Sequence, residues 1–169
     1  SVFANTNAIN CFLPEDLADF LHDHPDIRVS LEEQTSPAIV RAVLAGQVDI
    51  GVVAIDQAVS GAELRPYHRD HLVFALPPGH KFARRKRLRF EEVAHEAFVC
   101  LHAGSAIHAF TMEAASRLGI TLDVRIQVRS FHAICRLITA GAGIGMIPRA
   151  SAPAEGGPVL VDIDEPWAQ

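Results

Sequence analysis

The sequence predicts an α/β fold built as two similar halves, each a sheet dressed with helices. Three observations predict it. The first 55 residues alternate strand, helix, strand, helix, strand, the order of a parallel α/β sheet. The same alternation restarts near residue 71. The segment "VDIGVVAI", residues 48–55, is an almost unbroken apolar run, the pattern of a strand covered on both faces.

Each element has its own reason. Val2-Phe3-Ala4 reads as a short strand running straight into three polar residues, Asn5-Thr6-Asn7. A helix follows, with Pro14 in its first turn, Glu15 and Asp16 nearby, and Leu17, Phe20 and Leu21 at helical spacing; Pro25 stops it. Ile27, Val29 and Leu31 alternate with polar residues, so 27–32 is a strand. In "QTSPAIVRAVLAG", Ser36 suits an N-cap, Pro37 the first helical position and Gly46 the C-cap, with Ile39, Val40, Val43 and Leu44 as the buried stripe. In the second half, "HLVFALPP" (71–78) is a strand ended by two prolines, 90–94 a short helix and "AFVCL" (97–101) a strand. A helix capped by Ser105 buries Ile107, Phe110, Ala114 and Leu118 and stops at Gly119. Leu122, Val124, Ile126 and Val128 alternate as a strand, "SFHAICRLITAG" is a helix capped by Ser130, and "GIGMIP" and "VLVDID" are strands. The halves join near residues 56–72, and no period of 20–50 residues recurs, so the chain is not a solenoid.

Bulk properties narrow the function. With 169 residues and 49% hydrophobic content there is enough apolar material for a core, in one unit or two small lobes. A formal net charge of −5 argues against gripping nucleic acid unaided, since duplex binding needs a positive face. Cys11, Cys100 and Cys135 form no C-x-x-C, and the odd count predicts reduced thiols, core fillers in a cytosolic protein. No apolar run nears the roughly 20 residues a bilayer span needs, and the residues from Ser1 onward do not read as a signal peptide.

Several blocks then agree in order and spacing: Leu13-Pro14 in the helix after a polar loop, "HPDIRVSLEE", "TSPAIVRAVLAGQVDIGVV", "LVFALPPGHKFA", "FEEVAHEAFVCLHAGS" and "VRSFHAICRLITAGAGIGMIP". Together they span essentially the whole chain, which resembles the effector-binding domain of the LysR-type transcriptional regulators. The resemblance implies a periplasmic-binding-protein-like (type 2) α/β fold of two subdomains joined by two crossovers, with a small effector in the cleft between them. The first subdomain would occupy 1–70, with an incomplete C-terminal part returning after about 150, and the second 71–150. The family's N-terminal winged helix-turn-helix is not in this sequence, nor are its usual last strand and helix. The implied function is effector sensing in the cytoplasm, with DNA reached only through the missing module, RNA polymerase as a partner of the full-length protein, a homodimer or homotetramer, and no cofactor, metal, membrane or reaction. The helix with Leu17, Phe20 and Leu21 and the strand with Ile27 and Val29 are expected to form much of a two-fold interface.

Site residues follow from two directions. Ligands of open α/β sheets sit beyond the carboxyl ends of strands, where helix amino ends favour anions. Four helix starts carry small polar residues there: Asn5-Thr6-Asn7, Thr35-Ser36, Ser105 and Ser130. The resemblance places effector contacts in the first loop, in the loop after the second strand and near the "RSF" segment, which map to Asn5, Thr6, Asn7, Thr35, Ser36, Ser130 and Phe131. An anionic metabolite is the expected effector. Capping alone also accounts for Ser36, Ser105 and Ser130, whereas three polar residues before one helix exceed what capping requires.

Other constellations read as structure. The glycines of "GAGIGMIP" follow a helix and precede a strand, the reverse of dinucleotide order, and serve helix termination and tight packing. His22 and His24 lack a third metal ligand at a sensible spacing. His102 and His132 lie beside the caps, as surface or packed residues or facing the cleft. Lys81, Arg84, Arg85, Lys86, Arg87 and Arg89 form a basic loop that reads as solvated rather than phosphate-binding, and Arg129 and Arg149 are available to pair with an anion. A solute-binding protein of a transport system shares the implied fold and is the alternative. An enzyme on this scaffold would need a nucleophile–base pair or cofactor motif, and none stands out.

Overall fold

The computed structural model describes residues 1–55 and 58–168, so residues 56 and 57 of the expected junction lie outside the described residues. The chain divides into two units, unit 1 over Ser1–Arg69 and unit 2 from Asp70 onward.

Unit 1 is a three-stranded parallel sheet among the described residues. β1 (Val2–Ala4) is central and flanked by β2 (Leu31–Glu33) and β3 (Ile50–Val52), with Ala4 level with both Glu33 and Val52. β1 leads to α1 (Thr6–Cys11) and α2 (Leu13–Asp23), and β2 to α3 (Ser36–Leu44). The single helix expected after β1 is two, because the backbone breaks at Phe12 (φ −134°, ψ −48°), the residue just before the Leu13-Pro14 pair. Pro14 has no N–H to continue a ladder, and it fits only a first turn. The strand expected over 27–32 starts only at Leu31, since Ile27 and Leu31 are exposed and bury no common face. β3 is shorter than its apolar run, and Ile50 is 58% exposed, so the described residues do not cover this strand on both faces. α3 packs on it closely. A Cβ on Gly51 would lie 2.5 Å from Ile39 Cγ2, so glycine is required there.

Unit 2 carries a mixed sheet. β4 (Leu72–Leu76) pairs antiparallel with β8 (Gly145–Pro148) and with β9 (Val159–Ile163), and β9 pairs parallel with β5 (Arg87–Leu88). β6 (Ala97–Leu101) and β7 (Asp123–Val128) form a parallel pair. A bridge at Ile144, whose N–H donates to Ala97 O at 2.9 Å and whose carbonyl accepts from Val99 N at 2.8 Å, joins β6 to the strand line of β8. The sheet therefore runs β7-β6-β8-β4-β9-β5. Residues after about 150 do not return to unit 1 within the described residues. β9 and the 3₁₀ turn Pro166–Ala168 are bound into unit 2, the turn through Trp167 and Ala168 against its core.

The period of two along the strands divides the core. Phe74, Leu76, Phe98 and Cys100 face one cluster, with α4 (Phe90–Val93) and the Ala114-Ala115 step of α5 (Ala106–Arg117). Val73, Ala75, Val99 and Leu101 face the other, with Phe131, Ile134, Cys135 and Ile138 of α6 (Phe131–Thr139). Phe90 sits among Phe74, Phe98 and Trp167, with ring centroids 6.1–6.2 Å away. On α5 the buried face is Ile107, Thr111, Ala114 and Ala115, while Phe110 and Leu118 are exposed. The small Ala114-Ala115 step lets the helix axis approach the sheet, and that outweighs burying two larger side chains on the next stripe.

Candidate functional site

The carboxyl edge of unit 1's sheet gathers the first two polar segments. The Asn5 amide N–H donates to Val52 O (3.0 Å) and that of Gln34 to Ala4 O (3.0 Å), so the loops leaving all three strands are stitched at one level. In the strand order β2-β1-β3, the chain steps one way from β1 and the other way to β3, and this reversal is where open α/β sheets bind ligands.

Each polar side chain on this edge has a defined job. Asn5 is the N-cap of α1, its Oδ1 accepting from Ala8 N at 2.9 Å, which leaves its amide NH₂ as donor. Thr6 is 8% exposed and donates its hydroxyl to Glu33 Oε1 at 2.7 Å. Asn7 lies one residue further along the same turn. Thr35, not Ser36, is the N-cap of α3 by backbone, and its side chain makes no capping bond. Ser36 is instead the first helical residue, 6% exposed, with Oγ accepting from Ala54 N at 3.1 Å. The expected cap at Ser36 is therefore corrected. Its hydroxyl ties the start of α3 to the loop after β3, because Pro37 takes the second position and pushes the cap back by one.

Unit 2 presents a second edge. β6 and β7 are parallel neighbours with Leu101 level with Val128, so the starts of α5 and α6 share one end of the sheet. Ser105 caps α5 through His108 N (3.1 Å) and Ser130 caps α6 through Ala133 N (3.0 Å). Both side chains keep a hydroxyl proton for a partner. Phe131 is 2% exposed and its ring belongs to unit 2's own core, so what it offers a ligand is its backbone N–H.

The remaining sequence candidates fall to structure. Arg149 is bound within unit 2 by Asp162 and by His71 Nε2 (Nε donating, 2.7 Å), so it is committed. His102 Nδ1 lies 3.1 Å from Ala103 O, and His132 is exposed on α6. Lys81, Arg85, Arg87 and Arg89 pair with Glu96, Glu92, Asp164 and Glu91, which neutralises most of the basic loop. The glycine motif packs backbone on backbone: a Cβ on Gly143 would lie 2.5 Å from Ala97 O. Among the described residues no group of three or more His, Cys, Asp or Glu is placed to hold a metal, and no helix is long and apolar enough to cross a membrane.

Two features escape a reading by sequence. Glu33 enters the unit 1 edge through Thr6, 27 positions away, and the only signal for it was a second acid closing a strand just before Gln34-Thr35-Ser36. The other is a cluster that ties the start of α2 to the last residues of unit 1. Asp16 Oδ2 accepts from the Tyr67 hydroxyl and lies 3.0 Å from His68 Nε2. The bonds from Tyr67 and His68 hold the Asp16 carboxyl below its ordinary range, while burial, with the bond to Asp16, pushes Tyr67 up to about 12.

The chain is similar to known proteins along almost its whole length. A family model described as the LysR substrate binding domain matches residues 1–168. The chain is 23% identical, over 85% of its length and 46% of the relative's, to a "Probable hydrogen peroxide-inducible genes activator" of Mycobacterium leprae. It is 24% identical, over 80% of its length and 45% of the relative's, to "Regulatory protein NocR" of Agrobacterium tumefaciens. The chain thus spans about half the length of these relatives. Among solved structures, the CcmR regulatory domain of Synechocystis PCC6803 in complex with 2-PG superimposes with a TM-score of 0.80 at 24% identity, covering 97% of this chain and 80% of that one. The effector binding domain of QuiR in complex with shikimate gives 0.80 at 17% identity, over 98% and 80%.

Proposed function

Because the chain belongs to the LysR substrate-binding domain family, with its type 2 periplasmic-binding-protein-like fold, we propose that it is the sensing part of a transcriptional regulator. It binds a small polar metabolite; the candidate contact residues are Asn5, Thr6, Asn7, Thr35 and Ser36 on the strand edge of unit 1 and, on the strand edge of unit 2, Ser105, Ser130 and the Phe131 N–H. The observation that carries this is the stitched carboxyl edge of β2-β1-β3, where Thr6 and Ser36 are both buried polar side chains held at the reversal of strand order. At unit 2's edge, the amino ends of α5 and α6 supply N–H donors and partial positive charge for an anionic group on the effector. That solved relatives hold 2-PG and shikimate supports a ligand of this size.

In the whole protein, binding shifts the balance between two arrangements for which the effector has different affinity. DNA is read by another segment, with RNA polymerase contacted by the assembled regulator, a homodimer or homotetramer working in the cytoplasm. No reaction is assigned to this chain. The relatives named above are an activator and a regulatory protein, and the transport reading is not carried further.

A thermal-shift screen of organic acids, amino acids, amines and sugar acids is the test. A ligand at 100 times its Kd adds about 2.7 kcal/mol to stability. Ser36→Ala and Ser130→Ala, each read against its own unliganded melting point, should weaken that gain at their own edge. A ligand whose gain neither substitution alters would overturn the site. In mobility-shift assays at low salt the chain alone should leave DNA unshifted, and a tight sequence-selective complex would overturn the division of labour.

A further inference from the structure

Two histidines stand on either side of the boundary between the units, and they make opposite kinds of contact. Unit 1 ends at Arg69, the residue after His68, and unit 2 begins at Asp70, the residue before His71. His68 Nε2 lies 3.0 Å from Asp16 Oδ2, and a carboxylate only accepts, so this nitrogen donates. That donor is present in the neutral ring and in the protonated one. Of the described residues, Asp16 and Tyr67 are the titratable groups facing His68, and Phe12 stacks on its ring. His71 instead accepts. Arg149 donates its Nε–H to His71 Nε2 at 2.7 Å, and the same guanidinium holds Asp162 of β9. An arginine offers no lone pair, so His71 Nε2 is bare and the ring proton sits on Nδ1. The charged groups around His71 come from each neighbouring element. Arg149 opens the 3₁₀ turn Arg149–Ser151 after β8, and Asp162 is on β9. Asp70 precedes β4, its Oδ1 accepting from the N–H groups of His71 and Ala150. Arg87 of β5 is level with Asp162 and pairs with Asp164 at 3.7 Å.

Proton uptake by His71 and the Arg149 bond therefore compete for one lone pair. A protonated His71 donates from both nitrogens, and it would set an imidazolium against a guanidinium. The nearby acids do not remove the conflict, because Asp162 is held by Arg149 and Asp70 by backbone N–H groups. We propose that the junction is a proton-sensitive device with one latch on each side: acidification frees the start of β4 from the Arg149 turn, while the last residues of unit 1 stay fastened to α2. The Arg149 bond exists with the ring neutral and is lost as pH falls through the histidine range, whereas the Asp16 bond is kept across it. What loosens is the start of unit 2's β4, where the Arg149 backbone N–H also donates to His71 O at 2.9 Å. Each latch lies wholly within its own unit. The response needs no effector, so it goes beyond the proposed sensing of a metabolite.

The experiment is nuclear magnetic resonance of the nitrogen-labelled chain between about pH 8 and about pH 5, the span in which histidine changes charge. At the upper end His71 should be the Nδ1–H tautomer and His68 the Nε2–H tautomer. As pH falls, hydrogen exchange of the Arg149 amide, corrected for its intrinsic rate, should quicken about fivefold, as expected for the loss of one charged hydrogen bond. The Ile144 amide, bonded to Ala97 O at 2.9 Å, should keep its corrected rate, and the ring-current shift of His68 from Phe12 should persist. His71→Gln keeps an acceptor for Arg149 that takes no proton, so it should leave the corrected Arg149 exchange flat across the range. Neutral His71 found as the Nε2–H tautomer overturns the inference, and that reading needs no substitution. Arg149 exchange that ignores pH, or the same acid response in His71→Gln, also overturns it. Loss of the His68 shift along with Arg149 protection overturns the one-sided release.

Discussion

Phe12 lies flat against His68, with ring centroids 4.4 Å apart and planes 9° from parallel. Phe12 is the break between α1 and α2, and His68 sits one residue from the end of unit 1. Asp16, on the first turn of α2, holds both Tyr67 and His68 through one oxygen. The last residues of unit 1 are thus fastened to the helix pair whose first residues form the candidate site.

Stability in alkali should report this fastening. Tyr67 is raised to about 12, so its contribution is complete below the ordinary tyrosine value of 10.0 and is lost as pH climbs through about 12. Because the side chain is more than a third exposed, solvent screening limits the effect to about 1 kcal/mol or less. Tyr67→Phe should flatten the pH dependence of chemical denaturation between those values. At the acid end the lowered Asp16 acts oppositely: its contribution is present above 3.8 and lost as pH falls below it, and Asp16→Asn should remove that loss.

Removing either helix cap should cost stability by itself. Ser105→Ala and Ser130→Ala each leave an N–H, of His108 or Ala133, without its oxygen, at a cost of about 1 kcal/mol in denaturant titration. Restoring the cap with Asp should recover most of it, since a carboxylate caps equally well and suits the helix dipole.

Gly145→Ala tests the close packing of β8. A Cβ there would meet Val99 O at 2.9 Å and Ile138 Cδ1 at 2.8 Å, and the first of these is backbone that cannot swing aside. A loss of about 1–3 kcal/mol is expected, followed through the fluorescence of Trp167, the single tryptophan.

Much of this was legible in the residues, and the failures have causes. Ser105 and Ser130 read correctly as caps because capping is local, a hydroxyl bonding an N–H three residues on. The same logic misplaced Ser36, whose oxygen goes to Ala54, 18 residues away and across the sheet. Glu33 was invisible as a site residue for the same reason: only the pairing of β1 with β2 brings it to Thr6. On α5, two adjacent stripes satisfied helical periodicity, and the small Ala114-Ala115 step chose between them. The strand over 27–32 shrank because alternation needs a shared buried face, and Ile27 and Leu31 have none.

Phe20 and Ile27 remain exposed on unit 1, the residues expected to serve a two-fold interface. Phe20→Asp should shift sedimentation toward a lighter species if α2 and the segment carrying Ile27 pair copies of the chain, and an unchanged profile of a dimer would place the interface elsewhere.

The two buried cysteines offer a pair of clocks. Cys100 and Cys135 lie in separate core clusters on opposite faces of one sheet, and burial pushes both thiols up, Cys100 to about 11. A thiol reagent attacks the thiolate, so labelling of either cysteine waits for its own layer to part from the sheet. Mass spectrometry after timed alkylation then reads the two layers separately in one sample. A ligand gripping the helix starts of unit 2 would slow the Cys135 clock, set in α6, and the Cys100 rate would tell whether the opposite layer feels it.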